Sequence, residues 1–285
     1  MRDTDRFTDL LFGEAMDGRI AYFTYGDPDL EAWGLRLLNQ VSRALREAFP
    51  DPPHGDHVPL GPHFDYSWAP YLFLGRHGGG PLHIAWDTNL LIDYFQHGRS
   101  LWDRENDIES SYGDELEALQ MLIALWVIRD IRFYVLREVL RDAKRRLTAQ
   151  RQADRLRAFQ QFASALMLVQ SGERDIDEPS RAGLLILPDS ELVRALDAVP
   201  EGGDRQLVHD AVRRGMNVFL TRDEGVLKAA PRLAPFGLLI ASPGDLLEML
   251  VGCGAFHCIW APGYAYWPLP DQARVTHLIR ALPSS

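Results

Sequence analysis

Four acidic residues stand at separated points of the chain, each at the edge of an apolar run: Asp87 in LHIAWDTNLLIDYF, Glu138 in IRFYVLREVL, Asp204 in GGDRQLVHDAV and Asp223 in VFLTRDEGVL. A carboxylate beside a buried strand must be hydrated, paired or bound to a cation, because an isolated charge there is costly. Four carboxylates gathered together would repel one another strongly. Hard oxygen-binding cations such as Mg²⁺ or Mn²⁺ relieve that repulsion, and they also support phosphodiester cleavage. The pattern therefore predicts a divalent-metal site. Each acid also has a plainer reading, since Asp87, Asp204 and Asp223 could cap the helices that follow them and Glu138 could sit in a helical first turn.

Such acids act together only if elements far apart in sequence bring them to one place. After the breaker HGGG (His77 to Gly80), short apolar runs alternate with helical stretches, which predicts a parallel sheet covered by helices. The expected strands are Leu82 to Trp86, Ile131 to Leu136, Leu184 to Leu187, Val218 to Thr221 and Leu238 to Ala241. The expected helices between them are Leu90 to Gln96, Asp114 to Val127, Glu138 to Val169, Ser190 to Ala195, Arg205 to Arg214, Glu224 to Ala229 and Gly244 to Leu250. In such a sheet ligands bind beyond the carboxyl ends of the strands. Asp87 and Asp223 follow their strands almost at once, and Glu138 follows its own by two residues.

Before this region, residues 1–80 read as an N-terminal accessory region. Its clearest element is a helix from about Pro28 to Phe49, with Leu30, Trp33, Leu37, Leu38, Val41 and Leu45 on one stripe. Residues 251–285 form a C-terminal extension rich in aromatic residues and proline, suited to packing over the core or to stacking on unpaired bases.

Composition narrows the function classes. The chain has 285 residues, 46% hydrophobic and 25% charged, which argues against both disorder and a membrane protein. The start carries scattered acids and no signal-type apolar core, so a cytoplasmic location is expected. Cys253 and Cys258 are too few for a disulfide framework. The net charge of −10 would disfavour a nucleic-acid partner, but the charge is segregated. From Arg129 to Arg157 the chain is net positive, and Arg137, Arg141 and Arg145 could contact phosphate as readily as line a solvated helix face.

DTNLLIDY at Asp87, the VLREVL run with Glu138, GGDRQLVHDAVRRGMNVFLTRDEGVL with Asp204 and Asp223, and the closing GLLIASPGDLLEML together resemble the PIN-domain nucleases, over about Leu82 to Leu250. The resemblance implies an α/β fold with a PIN-like, Rossmann-like parallel sheet flanked by helices, here with the N-terminal accessory region added. It implies a metal-dependent endoribonuclease, with one or two Mg²⁺ or Mn²⁺ ions on Asp87, Glu138, Asp204 and Asp223, and Thr88, Asn89 and Thr221 in support. In-line attack by water would then leave a 5′-phosphate and a 3′-hydroxyl. The expected partners are RNA, through Arg137, Arg141 and Arg145, and an antitoxin-like protein or a second copy of the chain, with no membrane. Two other readings are a catalytically silent PIN-like scaffold for RNA or protein, and the toxin of a toxin–antitoxin pair. The residues added at both ends set this chain apart from the small toxin ribonucleases.

Overall fold

The computed structural model describes residues 19–23, 36, 38–43, 46–47, 72, 82–90, 110–129, 131–136, 166–170, 188–252 and 255–256. The run LHIAW forms strand β2 (Leu82–Trp86), and all five of its residues are buried. Continuous burial is what a parallel strand covered on both faces requires. His83 is the polar exception within it. Its Nδ1 lies 2.8 Å from the Tyr134 hydroxyl and the two rings are 5.3 Å apart, so the imidazole is accommodated inside the apolar layer.

Strands β1 (Arg19–Phe23), β3 (Ile131–Val135), β4 (Leu166–Gln170), β5 (Val218–Leu220) and β6 (Leu239–Ala241) complete a six-stranded sheet in the order β4-β1-β3-β2-β5-β6. β3, β2, β5 and β6 are contiguous and mutually parallel. β1 is antiparallel to both neighbours, with Ala21 opposite Val135 on one side and Leu168 on the other. The molecule is thus an α/β protein built on a four-stranded parallel sheet with helices, an arrangement compatible with the Rossmann-like class.

Helix α1 (Ser110–Ile128) is the crossover from β2 to β3. Leu116, Leu119, Leu122, Ile123, Ala124, Leu125 and Trp126 along it are all buried, and Gln120 among them is fully so. A helix apolar on several faces belongs in the interior. Further helices are α2 (Asp189–Leu196), α3 (Gly203–Arg213), α4 (Glu224–Leu227), α5 (Ala230–Leu233) and α6 (Pro243–Gly252), with a 3₁₀ turn at Ala234–Phe236. α3 sets Leu207, Val208 and Ala211 inward ahead of β5, and α6 sets Leu246 and Leu250 inward after β6. Leu38, Val41 and Phe256 join the same hydrophobic cluster, so parts of both terminal regions pack on the core of the sheet. Among the described residues no helix is long and apolar enough to cross a membrane.

Four expected strands therefore form, with ends within a residue of those expected, while Leu184 to Leu187 lies outside the described residues. Two elements differ from expectation. The helix expected from Glu138 to Val169 cannot continue to its end, because Leu166–Gln170 is strand β4 paired along its length with β1. Leucine and methionine suit a helix, and a five-residue apolar run has too little periodicity to separate the two states, so pairing with β1 decides it. β1 itself was unanticipated, lying within the region read as accessory. The rest of the expected helix 138–169 lies outside the described residues.

The amino ends of the central strands are tied by Asn217. Its Oδ1 accepts the His83 backbone N–H at 2.8 Å, its own N–H donates to the His83 carbonyl, and its carbonyl accepts from Leu239. Asn217→Ala leaves the buried His83 N–H without this acceptor and is expected to cost about 1–3 kcal/mol in denaturant unfolding. A loss under about 0.5 kcal/mol would show that the side chain is not what ties β2 to β5.

Candidate active site

The chain turns one way out of β2, crossing through α1 to β3, and the other way out of β5, to β6. The carboxyl ends of β2 and β5 therefore flank a topological switch point, the place where open α/β sheets bind their ligands. Asp87 is the first residue beyond β2 and Thr221 the first beyond β5. The Asp87 N–H still donates to the Leu220 carbonyl at 2.9 Å, and the Thr221 N–H to Ala241 at 3.0 Å, so both residues are held by the last rung of the ladder.

Asp87 is only 3% exposed. Its Oδ2 accepts a 2.8 Å hydrogen bond from the Thr221 hydroxyl, and its Oδ1 lies 3.5 Å from the Asn89 N–H. Burial, the largest influence, pushes its pKa up to about 6. The Thr221 bond opposes this, the negative charge of Asp204 adds to it, and the Asn89 and Thr88 amides oppose it more weakly. Asp204 therefore stands close enough to Asp87 for the two carboxylates to repel. The metal reading expects that juxtaposition.

Asp204 is the second residue of α3, half-buried, with no side-chain cap at the helix start. Gly202 precedes the helix at φ 126°, a conformation side chains rarely adopt, so glycine permits the turn that brings Asp204 round. Arg205 fastens the same turn. Its Nε and Nη2 donate to the Val199 carbonyl at 3.1 and 2.8 Å, and Asp197 and Glu201 lie 3.7 and 3.9 Å from its Nη1.

Asp223 is joined to this group through one hydroxyl. The Thr221 Oγ1 that donates to Asp87 also accepts the Asp223 N–H at 3.1 Å. The Asp223 carboxylate is exposed and caps α4, with Oδ1 accepting from Gly225 at 2.7 Å and Val226 at 3.1 Å. Of the three candidate caps, Asp223 is the one that fits the plainer reading in full. A Cβ at Gly225 would come within 2.8 Å of Pro200 Cγ and 2.9 Å of Asp223 Oδ1. This close approach packs α4 against the turn that leads to Asp204.

Of the supporting residues, Thr221 is fully buried and in contact with Asp87, and Asn89 is exposed. Thr88 is buried beside Asp87, and its hydroxyl has no hydrogen-bond partner among the described residues. Asp210 and Glu224, the nearby acids, are engaged by Gln206 at 3.0 Å and Lys228 at 3.3 Å. Glu138, Arg137, Arg141 and Arg145 lie outside the described residues.

Sequence reasoning missed two contacts on this edge. Glu115 of α1 accepts from the Ser242 hydroxyl at 3.0 Å and from the Gly244 N–H at 2.9 Å, placing a carboxylate at the start of α6. Glu115 falls within the helix expected from Asp114 to Val127, but its partner lies 127 residues away. Arg222, inside the Thr-x-Asp motif, sets its guanidinium 4.1 Å from the centroid of the Tyr112 ring.

Among the described residues no group of three or more His, Cys, Asp or Glu side chains is arranged to hold a metal ion. A smaller donor set suffices for Mg²⁺, which keeps several waters and binds through one or two carboxylates. Asp87 and Asp204 are hard oxygen donors whose mutual repulsion a cation would relieve, and the Thr88 hydroxyl, unpaired among the described residues, is a further polar group next to Asp87. The residues present therefore fit a hydrated divalent cation. No protein-family model, curated protein or solved structure matches the chain.

Asp87 ionises near 3.8 when unfolded and near 6 when folded. Without divalent cations its contribution to stability is complete below about pH 4 and is lost as pH rises through about 6, on the order of 3 kcal/mol in all. Urea unfolding across that range should show the decline, and Asp87→Asn should flatten it. A wild-type profile unaltered by the substitution would contradict the assignment of Asp87 as the buried acid.

Proposed function

We propose that the chain is a PIN-like, divalent-metal-dependent endoribonuclease, hydrolysing RNA phosphodiester bonds with water as the nucleophile. What carries the reading is a single observation: Asp87 is buried at the switch point between β2 and β5, against Thr221 and in the field of Asp204. An acid with no catalytic or ligand role would gain stability by leaving such a place. The order of the motifs also supports it, because Asp87, Asp204 and Asp223 follow one another as in the PIN nucleases, and the parallel strands bearing Asp87 and Asp223 are adjacent.

Asp87 and Asp204 would hold the cation, with Asp223 and Glu138 completing the acidic set. When bound, a divalent cation would lower the pKa of water at the site and offset the charge that develops on the phosphorus oxygens. Thr221 holds Asp87 in one orientation by donating to Oδ2, leaving the carboxylate's other oxygen toward the weak Asn89 contact. The turn fastened by Arg205 fixes Asp204 opposite. Burial keeps the Asp87 carboxylate poorly hydrated, which strengthens its attraction for a cation.

The competing reading, a PIN-like scaffold without catalysis, draws on the Asp223 cap, since that carboxylate already has a structural use. Asp223→Asn separates the two. Asparagine caps as well as aspartate, so metal-free stability should stay within about 0.5 kcal/mol. Under the nuclease reading the same variant loses metal-dependent RNA cleavage, and a scaffold has none to lose.

With Mn²⁺ at a hundredfold excess over its Kd, wild type should gain about 2.7 kcal/mol of stability, and Asp87→Asn should abolish that gain together with RNA cleavage. Thr221→Val, which removes the hydroxyl orienting Asp87, should lower activity or metal affinity about 10–100-fold. RNA cleavage undiminished in Asp87→Asn would place the activity elsewhere or in a contaminant.

A further inference from the structure

Asp204 and Asp223 stand on separate turns, and their usefulness to one cation depends on how far apart those turns are held. Asp223 lies between β5 and α4, and Asp204 opens α3 after the turn formed by residues 200–203. Each turn is fastened at its own base. The Asp223 N–H donates to Thr221 Oγ1 at 3.1 Å, and Arg205 donates twice to the Val199 carbonyl, at 3.1 and 2.8 Å. Between the two turns, Gly225 meets Pro200.

Gly225 is the second residue of α4, and its N–H donates to Asp223 Oδ1 at 2.7 Å. A Cβ built on it would lie 2.8 Å from Pro200 Cγ and 2.9 Å from Asp223 Oδ1, closer than such atoms approach. The backbone supplies no other reason for glycine here. Gly225 is helical without a positive φ, and alanine is the better helix former. The position therefore uses the missing side chain itself, which lets the Asp204 turn close on the Asp223 cap.

The neighbours differ in how they can yield. Val226, next along α4, is fully buried and anchors the helix in the core, whereas Pro200 is exposed. A side chain at 225 would push Pro200 and its turn outward, and the Asp223 carboxylate aside, before it dislodged α4. Its effect would fall on the placing of the acids more than on the fold.

We infer that Gly225 is a positioning residue: by letting Pro200 seat beside the Asp223 cap, it sets the separation of the Asp204 and Asp223 turns at which a divalent cation is held. This rests on the nuclease reading above. The resemblance to the PIN nucleases gives this glycine no role.

The test is calorimetric titration of Mn²⁺ into the full chain, with metal-free urea unfolding of the same proteins. Gly225→Ala should bind Mn²⁺ about tenfold more weakly, as expected of a residue that orients ligands from behind, and should still unfold in one cooperative transition. Pro200→Ala removes the ring carbons that the new methyl would strike. Alone it should cost less affinity than Gly225→Ala, and combined with Gly225→Ala it should recover most of the loss, the non-additivity of residues in contact. Asp223 Oδ1, at the end of a rotatable side chain, can give way to the methyl that remains. If Gly225→Ala folds poorly, the double variant decides, because it should regain both fold and affinity. Wild-type Mn²⁺ affinity in Gly225→Ala, or a defect that Pro200→Ala does not relieve, would overturn the inference. The nuclease reading would then still stand if Asp87→Asn abolishes Mn²⁺ binding. Failure of wild type to bind Mn²⁺ would overturn both.

Discussion

The hydrogen bond from Thr221 to Asp87 joins the two halves of the site, and the remaining contacts there depend on it. A carboxylate 3% exposed at the end of a parallel strand is costly, and the Thr221 donor with the weaker Asn89 and Thr88 amides does not balance that cost. The raised pKa expresses the deficit, since burial first and the charge of Asp204 after it make Asp87 harder to ionise than a solvated aspartate. A divalent cation between the two would turn repulsion into attraction. In this account, stability given up by the metal-free chain becomes affinity for the ion.

The surroundings keep that arrangement from relaxing. Asp204 cannot swing away easily while Arg205 grips the Val199 carbonyl and Gly202 makes its turn. Pro200 in the same turn fits against Gly225, which lacks the Cβ that would strike it. Asp223 therefore has two duties. Its backbone is tied to Thr221, and its carboxylate holds the start of α4, which in turn presses on the Asp204 turn. Glu115 does similar work one strand further along, fixing α1 to the start of α6 through Ser242 and Gly244. The edge of the sheet is thus built from short polar contacts laid over an apolar core.

Much of this could be read from the chain itself. LHIAW followed by Asp, and VFL followed by Thr-Arg-Asp, announce buried strands that end in polar groups, and both strands form with those residues just beyond them. The cap at Asp223 was equally local and equally readable. β4 was not, because Leu166–Gln170 has residues that suit a helix, and only its pairing with β1 makes it a strand. β1 carries too short a pattern to stand out from the region around it. Tyr112 with Arg222, and Glu115 with Ser242, are contacts between residues more than a hundred positions apart, and no local signal marks either. Local chemistry was legible, then, and long-range side-chain pairing was not.

Placement of an ion by anomalous diffraction is the most direct test of the central claim that Asp87 and Asp204 together await a cation. Crystals of the chain soaked in Mn²⁺ should give an anomalous peak between these two residues, with carboxylate oxygens of both at about 2.1–2.2 Å or bridged to it through coordinated water. A Mn²⁺ peak elsewhere, or none beside Asp87 at saturating metal, would contradict it.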